Sequence, residues 1–145
     1  MPKPVILLVE DNEDDAFLMR RALKKTEMDC PLQIAEDGQQ ALDYLAGNGA
    51  YQDRAAHPLP SIVFLDLKLP RIHGFEVLEW IRAQPHFKNL EVVILTSSGE
   101  ERDKRKALEL TACAYLVKPP TSESLHAILN THVAAMEQNP VPLGV

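Results

Sequence analysis

The sequence predicts a doubly wound α/β domain, a parallel sheet with helices on both faces. Three observations predict it. Short continuous apolar runs such as Val5 to Val9 (Val-Ile-Leu-Leu-Val) have the pattern of strands buried on both sides. These runs alternate with helical periodicity, five of each, and strands joined by helical crossovers lie parallel. The chain has 145 residues, 46% hydrophobic and 25% charged, which is enough for one cored domain and too little for two.

The elements follow in order. Val5 to Val9 is the first strand, and Asp14 to Lys25 a helix with Ala16, Met19 and Leu23 on one face. Asp14 and Asp15 favour its N-terminus electrostatically. Leu32 to Ala35 is a second strand, and Gln39 to Ala46 a second helix closed by Gly47 and Gly49. The longest loop, Gly47 to Pro60, carries two glycines and two prolines. Ser61 to Leu65 is the third strand, and Gly74 to Ala83 a helix with Leu78 and Ile81 inward. Glu91 to Leu95 is the fourth strand, Glu100 to Leu110 the fourth helix, and Cys113 to Val117 the fifth strand. Leu125, Ile128, Leu129, Val133 and Met136 recur at helical spacing in a last helix. The expected organisation is a domain over residues 1–137 and a loose tail over 138–145 that contains two prolines.

Composition narrows the function classes. A net charge of −6 disfavours a nucleic-acid partner held by a basic face. No apolar run reaches the ~20 residues of a membrane span, and the N-terminus carries no signal-peptide pattern. The expectation is a cytoplasmic protein. Cys30 and Cys113 form neither a disulfide framework nor a metal pair by spacing. His57, His73, His86, His126 and His132 lack metal spacing and read as surface or loop residues.

Ligands of open parallel sheets bind beyond the carboxyl ends of the strands. Glu10 and Asp11 follow the first strand, Asp66 the third, Thr96 and Ser97 the fourth, and Lys118 and Pro119 the fifth. Each alone has an ordinary reading as solvated acids, a helix cap or a loop dipeptide. Their joint placement and order are what carry the signal. Three carboxylates packed together repel one another, a conflict that a hard divalent cation such as Mg²⁺ removes while leaving room for a phosphoryl oxygen. A carboxylate nucleophile can then attack phosphorus, the developing charge being met by metal, ammonium and hydroxyl.

Leu8-Val9-Glu10-Asp11-Asn12, Leu65-Asp66-Leu67-Lys68-Leu69-Pro70 with Gly74, Ile94-Leu95-Thr96-Ser97-Ser98, and Tyr115-Leu116-Val117-Lys118-Pro119 resemble the receiver domain of two-component response regulators. The likeness runs from about Val5 to about Met136. It implies a flavodoxin-like (βα)5 sheet in the order 2-1-3-4-5. It implies that Asp66 accepts a phosphoryl group from a sensor histidine kinase, with Glu10, Asp11, Asp66 and the backbone carbonyl of Lys68 at Mg²⁺. It implies that Thr96 and Lys118 bind the phosphoryl group, that Thr96 and Tyr115 form the switch, and that the peptide before Pro119 is cis. In that order Cys30 and Cys113 lie at opposite sheet edges, as free thiols. The longer loop before strand three, Pro85-His86, and Ala114-Tyr115 without an upstream glycine look like the small stand-alone receivers that serve phytochrome-type kinases. Thr111 stands where the family usually has glycine, so helix four is expected to close differently.

Two residues bear on the lifetime of the aspartyl phosphate. Lys68, two after Asp66, puts a cation near the path of hydrolytic water; Ser98, two after Thr96, is too small to position that water with a carboxylate. Lys68 also argues against a phosphatase of the haloacid-dehalogenase type, which needs a second Asp there as general acid. Asn12-Glu13-Asp14-Asp15 argues against a flavin module, whose phosphate it would repel. The chain is therefore expected to act on no separate substrate, catalysing only its own phosphoryl transfer and dephosphorylation. Output is expected to run through the helix-four, strand-five, helix-five face, with Tyr115 in it; Ala112, Cys113 and Ala114 lie in its strand-five region, and Leu125, His126, Leu129 and the tail near it. That face is expected to form a homodimer or to bind a downstream protein target. The alternative is a phosphorelay intermediate or phosphate sink that serves a histidine phosphotransfer protein.

Overall fold

A computed structural model describes residues 3–138. Five parallel strands, β1 (Ile6–Val9), β2 (Leu32–Ala35), β3 (Ile62–Leu65), β4 (Glu91–Thr96) and β5 (Ala114–Val117), form one sheet in the order β2-β1-β3-β4-β5. The helices are α1 (Glu13–Lys25), α2 (Gly38–Ala46), α3 (Gly74–Ala83), α4 (Glu101–Glu109) and α5 (Ser122–Gln138). Among the described residues no helix is long and apolar enough to cross a membrane. Helix α5 runs one residue past the expected domain end, and 139–145 of the expected tail lie outside the described residues.

The central strands read as unbroken apolar runs because the period-two alternation sends their side chains into two cores. Leu7, Val9, Val63, Leu65, Val92 and Ile94 pack on one face with Tyr44, Leu45, Val77, Leu78 and Ile81 of α2 and α3. Ile6, Leu8, Ile62, Phe64, Val93 and Leu95 pack on the other with Met19, Leu23, Leu125 and Leu129 of α1 and α5. Register sets the functional edge: Val9 pairs with both Ala35 and Leu65, and Thr96 with Val117. Backbone bonds carry the ladder one residue further, from Asp66 N–H to the Val9 carbonyl (3.2 Å) and from Lys118 N–H to the Thr96 carbonyl (2.8 Å).

Helix starts are fixed by short polar side chains. Asn12 caps α1 by accepting from the Asp15 amide (3.0 Å), and Asp37 caps α2 by accepting from the Gln40 amide (2.7 Å). His73 Nδ1 caps α3 from the Phe75 amide (3.1 Å). The loop over 47–60 is more ordered than its glycines and prolines imply. It contains a 3₁₀ turn at Gly49–Gln52, and Arg54 donates to the end carbonyls of α2, Tyr44 (2.8 Å) and Leu45 (3.0 Å). A second 3₁₀ turn, Pro85–Phe87, precedes β4.

Two sequence expectations are corrected. Thr111 does not make α4 close differently: it adopts φ 59°, the left-handed conformation glycine would take. The Thr111 amide bonds Leu108 and the Ala112 amide bonds Ala107, the pairing of a Schellman motif. A β-branched residue in that conformation costs about 1–2 kcal/mol. Arg82 helps hold it, donating to the Leu110 (3.2 Å) and Thr111 (3.0 Å) carbonyls. His132 is not a surface residue. It is buried on the inner stripe of α5, with Nδ1 2.7 Å from Glu91 Oε2 and Nε2 2.9 Å from Ser61 Oγ. His57 is half-buried, and His73, His86 and His126 are exposed, as expected. Cys30 and Cys113 are free and lie beside β2 and β5, at opposite edges.

Candidate functional site

The residues that follow the apolar runs meet at one edge. Asp66 is 5% exposed and Glu10 3% exposed, so both carboxylates leave bulk water on folding. Taking carboxylates out of water is costly unless they are paired; the Lys118 ammonium offsets that cost. Its Nζ lies 2.9 Å from Asp66 Oδ2, 2.8 Å from Asp15 Oδ2 and 2.5 Å from Glu10 Oε1. The free carboxylate oxygens are held by backbone: Asp66 Oδ1 accepts from the Lys68 amide (3.2 Å), and Glu10 Oε2 from the Asn12 amide (3.2 Å). Burial and the ion pair act on Glu10 in opposite directions, burial being stronger, and its carboxyl is pushed up to about 7. Burial also opposes the Lys118 charge, but its hydrogen bonds to Asp15, Glu10 and Asp66 outweigh it, and the ammonium is held above its ordinary range.

One carboxylate oxygen each from Glu10, Asp11 and Asp66 lie within 4.8 Å of one another. Asp11 is exposed, so the cluster opens to water on one side. Three hard oxygen donors around a point open to solvent fit a small divalent cation that keeps part of its hydration shell. Protons compete with such a cation for Glu10. With its carboxyl near 7, metal affinity is expected to be roughly tenfold weaker at pH 6 than at pH 8. A titration with Mn²⁺ at the two pH values checks this, and Glu10→Gln should remove the difference. The same shift lies above the ordinary value of 4.5, so the native state binds this proton more tightly than the unfolded chain. The metal-free protein should therefore lose stability as pH rises from 4.5 to about 7.

Thr96 is fully buried at the end of β4, its Oγ1 3.5 Å from the Ser98 amide. Ser98 joins three elements. Its carbonyl accepts from the Tyr115 hydroxyl (2.7 Å) and its own hydroxyl donates to Asp103 (2.7 Å) in the first turn of α4. The structure thus brings Glu10, Asp11, Asp66, Thr96 and Lys118 to one edge, with Tyr115 linked to it through Ser98. Lys68 is exposed on the β3–α3 loop. The Lys118-Pro119 peptide is cis, as the resemblance implied. Gly74 leaves room for the loop: a Cβ there would run into the Asp66 carbonyl and the Leu67 Cα.

Asp15, which the sequence marks only as a charge at the start of a helix, is a third carboxylate partner of Lys118. Asp15 sits four residues before Met19 and seven before Ala22, on the buried stripe of α1. A carboxylate on an apolar stripe, in the first turn of the helix that follows β1, is the available signal. Leu125 and Leu129, expected near the output face, are fully buried against α1 and the sheet and present nothing to a partner.

Comparison with known proteins shows the family. The family model described as response regulator receiver domain matches residues 6–130. Response regulator Rcp1 of Synechocystis sp. is 40% identical over 117 residues, covering 81% of this chain and 78% of that protein. The Mn²⁺-bound structure of Rcp1 aligns with a TM-score of 0.73 at 34% identity, over 98% of this chain and 99% of that one. The bacteriophytochrome response regulator AtBRR aligns over the whole of both chains, with a TM-score of 0.78 and 36% identity. The phosphorylated cyanobacterial phytochrome response regulator RcpA aligns with a TM-score of 0.75 and 29% identity, over 99% of this chain and 100% of that one. The family match spans most of the chain, and the protein therefore belongs to the response regulator receiver domains.

Proposed function

We propose that this chain is a single-domain response regulator in which Asp66 takes a phosphoryl group from a phytochrome-type sensor histidine kinase, in the cytoplasm and with Mg²⁺ as the cation. The observation that carries the reading is the buried Asp66 carboxylate, ion-paired to Lys118 at 2.9 Å and within ligand range of Glu10 and Asp11. A bond forms between an Asp66 oxygen and phosphorus, the bond from phosphorus to the kinase histidine nitrogen breaks, and that nitrogen keeps the electron pair. Glu10, Asp11 and Asp66, with the Lys68 carbonyl, would hold Mg²⁺ there, and the bound cation would supply positive charge to the phosphoryl oxygens. Lys118 and the Thr96 hydroxyl donate hydrogen bonds to the same oxygens.

Signalling follows from the bonds around Ser98. Drawing Thr96 toward the phosphoryl group shifts the segment that carries Ser98, and with it the bonds to Tyr115 and Asp103. Helix α4 is weakly anchored, with Ala107 its one buried residue, so small shifts at its start change its position. The face that includes α4 and β5 presents Leu108, 74% exposed, and Val117, 46% exposed. These two, with Cys113, replace Leu125 and Leu129 as the apolar contacts of a homodimer or of a downstream target. Sedimentation with and without beryllofluoride is expected to show a dimer, and Leu108→Asp to weaken it; a monomer throughout would exclude the dimer at the concentrations used.

The kinase reading is tested with an autophosphorylated phytochrome-type kinase as donor. Label is expected to pass to this chain and not to Asp66→Asn. A chain that accepts label only from other histidine proteins would overturn the phytochrome assignment. Lys68 is exposed two residues after Asp66, where a cation would meet hydrolytic water, so Lys68→Asn should alter the half-life of the acyl phosphate once donor is removed; an unaltered half-life would exclude that role. Ser98, its hydroxyl engaged by Asp103, enters the lifetime by placing no carboxylate beside the phosphoryl group. No observation favours a relay or sink role.

A further inference from the structure

The Lys118 ammonium has three N–H donors, and three carboxylates surround it: Glu10, Asp15 and Asp66. The carboxylates within ligand range of one cation are Glu10, Asp11 and Asp66. Two of the ammonium's partners therefore belong to both sets, and Asp15 belongs to the ammonium alone. We propose that Asp15 is the positioning residue of Lys118, keeping its ammonium aimed at Asp66 while the oxygens of Glu10 and Asp66 take up other partners. This rests on the reading of Asp66 as phosphoacceptor and adds a residue to it.

Local structure supports the role. Asp15 stands three residues after the N-cap of α1, where an acidic side chain commonly turns back to the cap amide. Here the Asn12 side chain holds the Asp15 amide at 3.0 Å, and the Asp15 carboxylate reaches Lys118 across 103 residues of chain instead. The Asp15 backbone is thus fixed by the helix start and its side chain lies on the stripe of Met19 and Ala22. Lys118, by contrast, projects from β5's end on a four-carbon stem with many rotamers. Phosphoryl transfer asks two of its three donors to turn toward new oxygens. Without a carboxylate that stays in place, the ammonium has no fixed position from which to do so, and a misplacement of about 1 Å can cost as much as about 10²-fold in rate.

The test uses Asp15→Asn, Asp15→Glu and Asp14→Asn, each in the wild-type chain and with Lys118→Ala. Asp14 is exposed in the same helical turn, so Asp14→Asn removes the same charge from the start of α1 without touching Lys118. Labelling by acetyl phosphate with Mg²⁺ is followed by intact mass over a range of donor concentrations. Asp15→Asn is expected to lower the maximal rate about tenfold and leave the half-saturating donor concentration unchanged. Asp15→Glu should recover part of the rate, and Asp14→Asn should stay within about twofold of wild type. With Lys118→Ala, Asp15→Asn should cause no further loss. A second readout needs no metal: under chelator, the urea midpoints of Asp15→Asn, Lys118→Ala and the double variant should be non-additive. Equal rates for Asp14→Asn and Asp15→Asn, or additivity in either cycle, would overturn the positioning role alone. Absence of label on the wild-type chain would sink the acceptor reading, and the positioning role with it.

Discussion

Lys118→Ala is expected to slow phosphorylation of Asp66 by a small donor by roughly 10²–10³-fold, the cost of losing one preorganised donor to a developing oxyanion. The same change should destabilise the metal-free protein. Glu10 and Asp66 are both buried and both lean on the ammonium. Removing one partner of an enclosed ion pair costs ~3–5 kcal/mol. The loss here should be smaller, about 2 kcal/mol, because Glu10, already pushed up to about 7, escapes by taking a proton. Divalent cation should restore most of that stability, since it supplies the missing positive charge to the same oxygens, and should restore little of the rate. Urea unfolding with and without Mg²⁺, beside rates of labelling, separates the two effects. A variant as fast as wild type would remove Lys118 from the chemistry.

Gly74→Ala is expected to cost about 3 kcal/mol. The added Cβ would meet the Asp66 carbonyl, the Leu67 Cα at 2.7 Å and the Asp66 carbonyl carbon at 3.0 Å. All three are backbone atoms of the segment that presents the acceptor, so no side chain can rotate away. Alanine's advantage over glycine in a helix is ~1 kcal/mol, too small to compensate. The β3–α3 loop must shift, and divalent metal affinity should fall with the misplaced Asp66 carboxylate. Gly99→Ala is the control, since a Cβ there meets only Val117 at the ordinary distance of 3.9 Å. Its stability should lie within about 0.5 kcal/mol of wild type.

The sheet was legible because every central strand is covered on both faces, which turns it into a run of apolar residues such as Ile62–Leu65 that no exposed element would show. The site was legible for a related reason: Glu10, Asp66 and Lys118 are the first polar residues after apolar strands, and register alone brings them together. What escaped were polar residues inside helices. Asp15 and His132 each occupy the inner stripe of an amphipathic helix, and their partners, Lys118 and the Glu91–Ser61 pair, lie far away in sequence. Periodicity marks such a position as buried but does not name what meets it. Thr111 escaped differently. Propensity argues against threonine in a left-handed conformation, yet the motif forms because the helix-end carbonyls find the Arg82 guanidinium, a contact set by tertiary packing.

Asp66 is proposed as the phosphoacceptor, with a divalent cation required for its phosphorylation. Intact mass after incubation with Mg²⁺ and acetyl phosphate, run beside Asp66→Asn, tests it most directly. The wild-type chain is expected to gain one phosphoryl group, a gain abolished by chelator and absent from Asp66→Asn. An adduct that persists in Asp66→Asn or in chelator, or a wild-type chain that gains no adduct and binds no beryllofluoride, would contradict it.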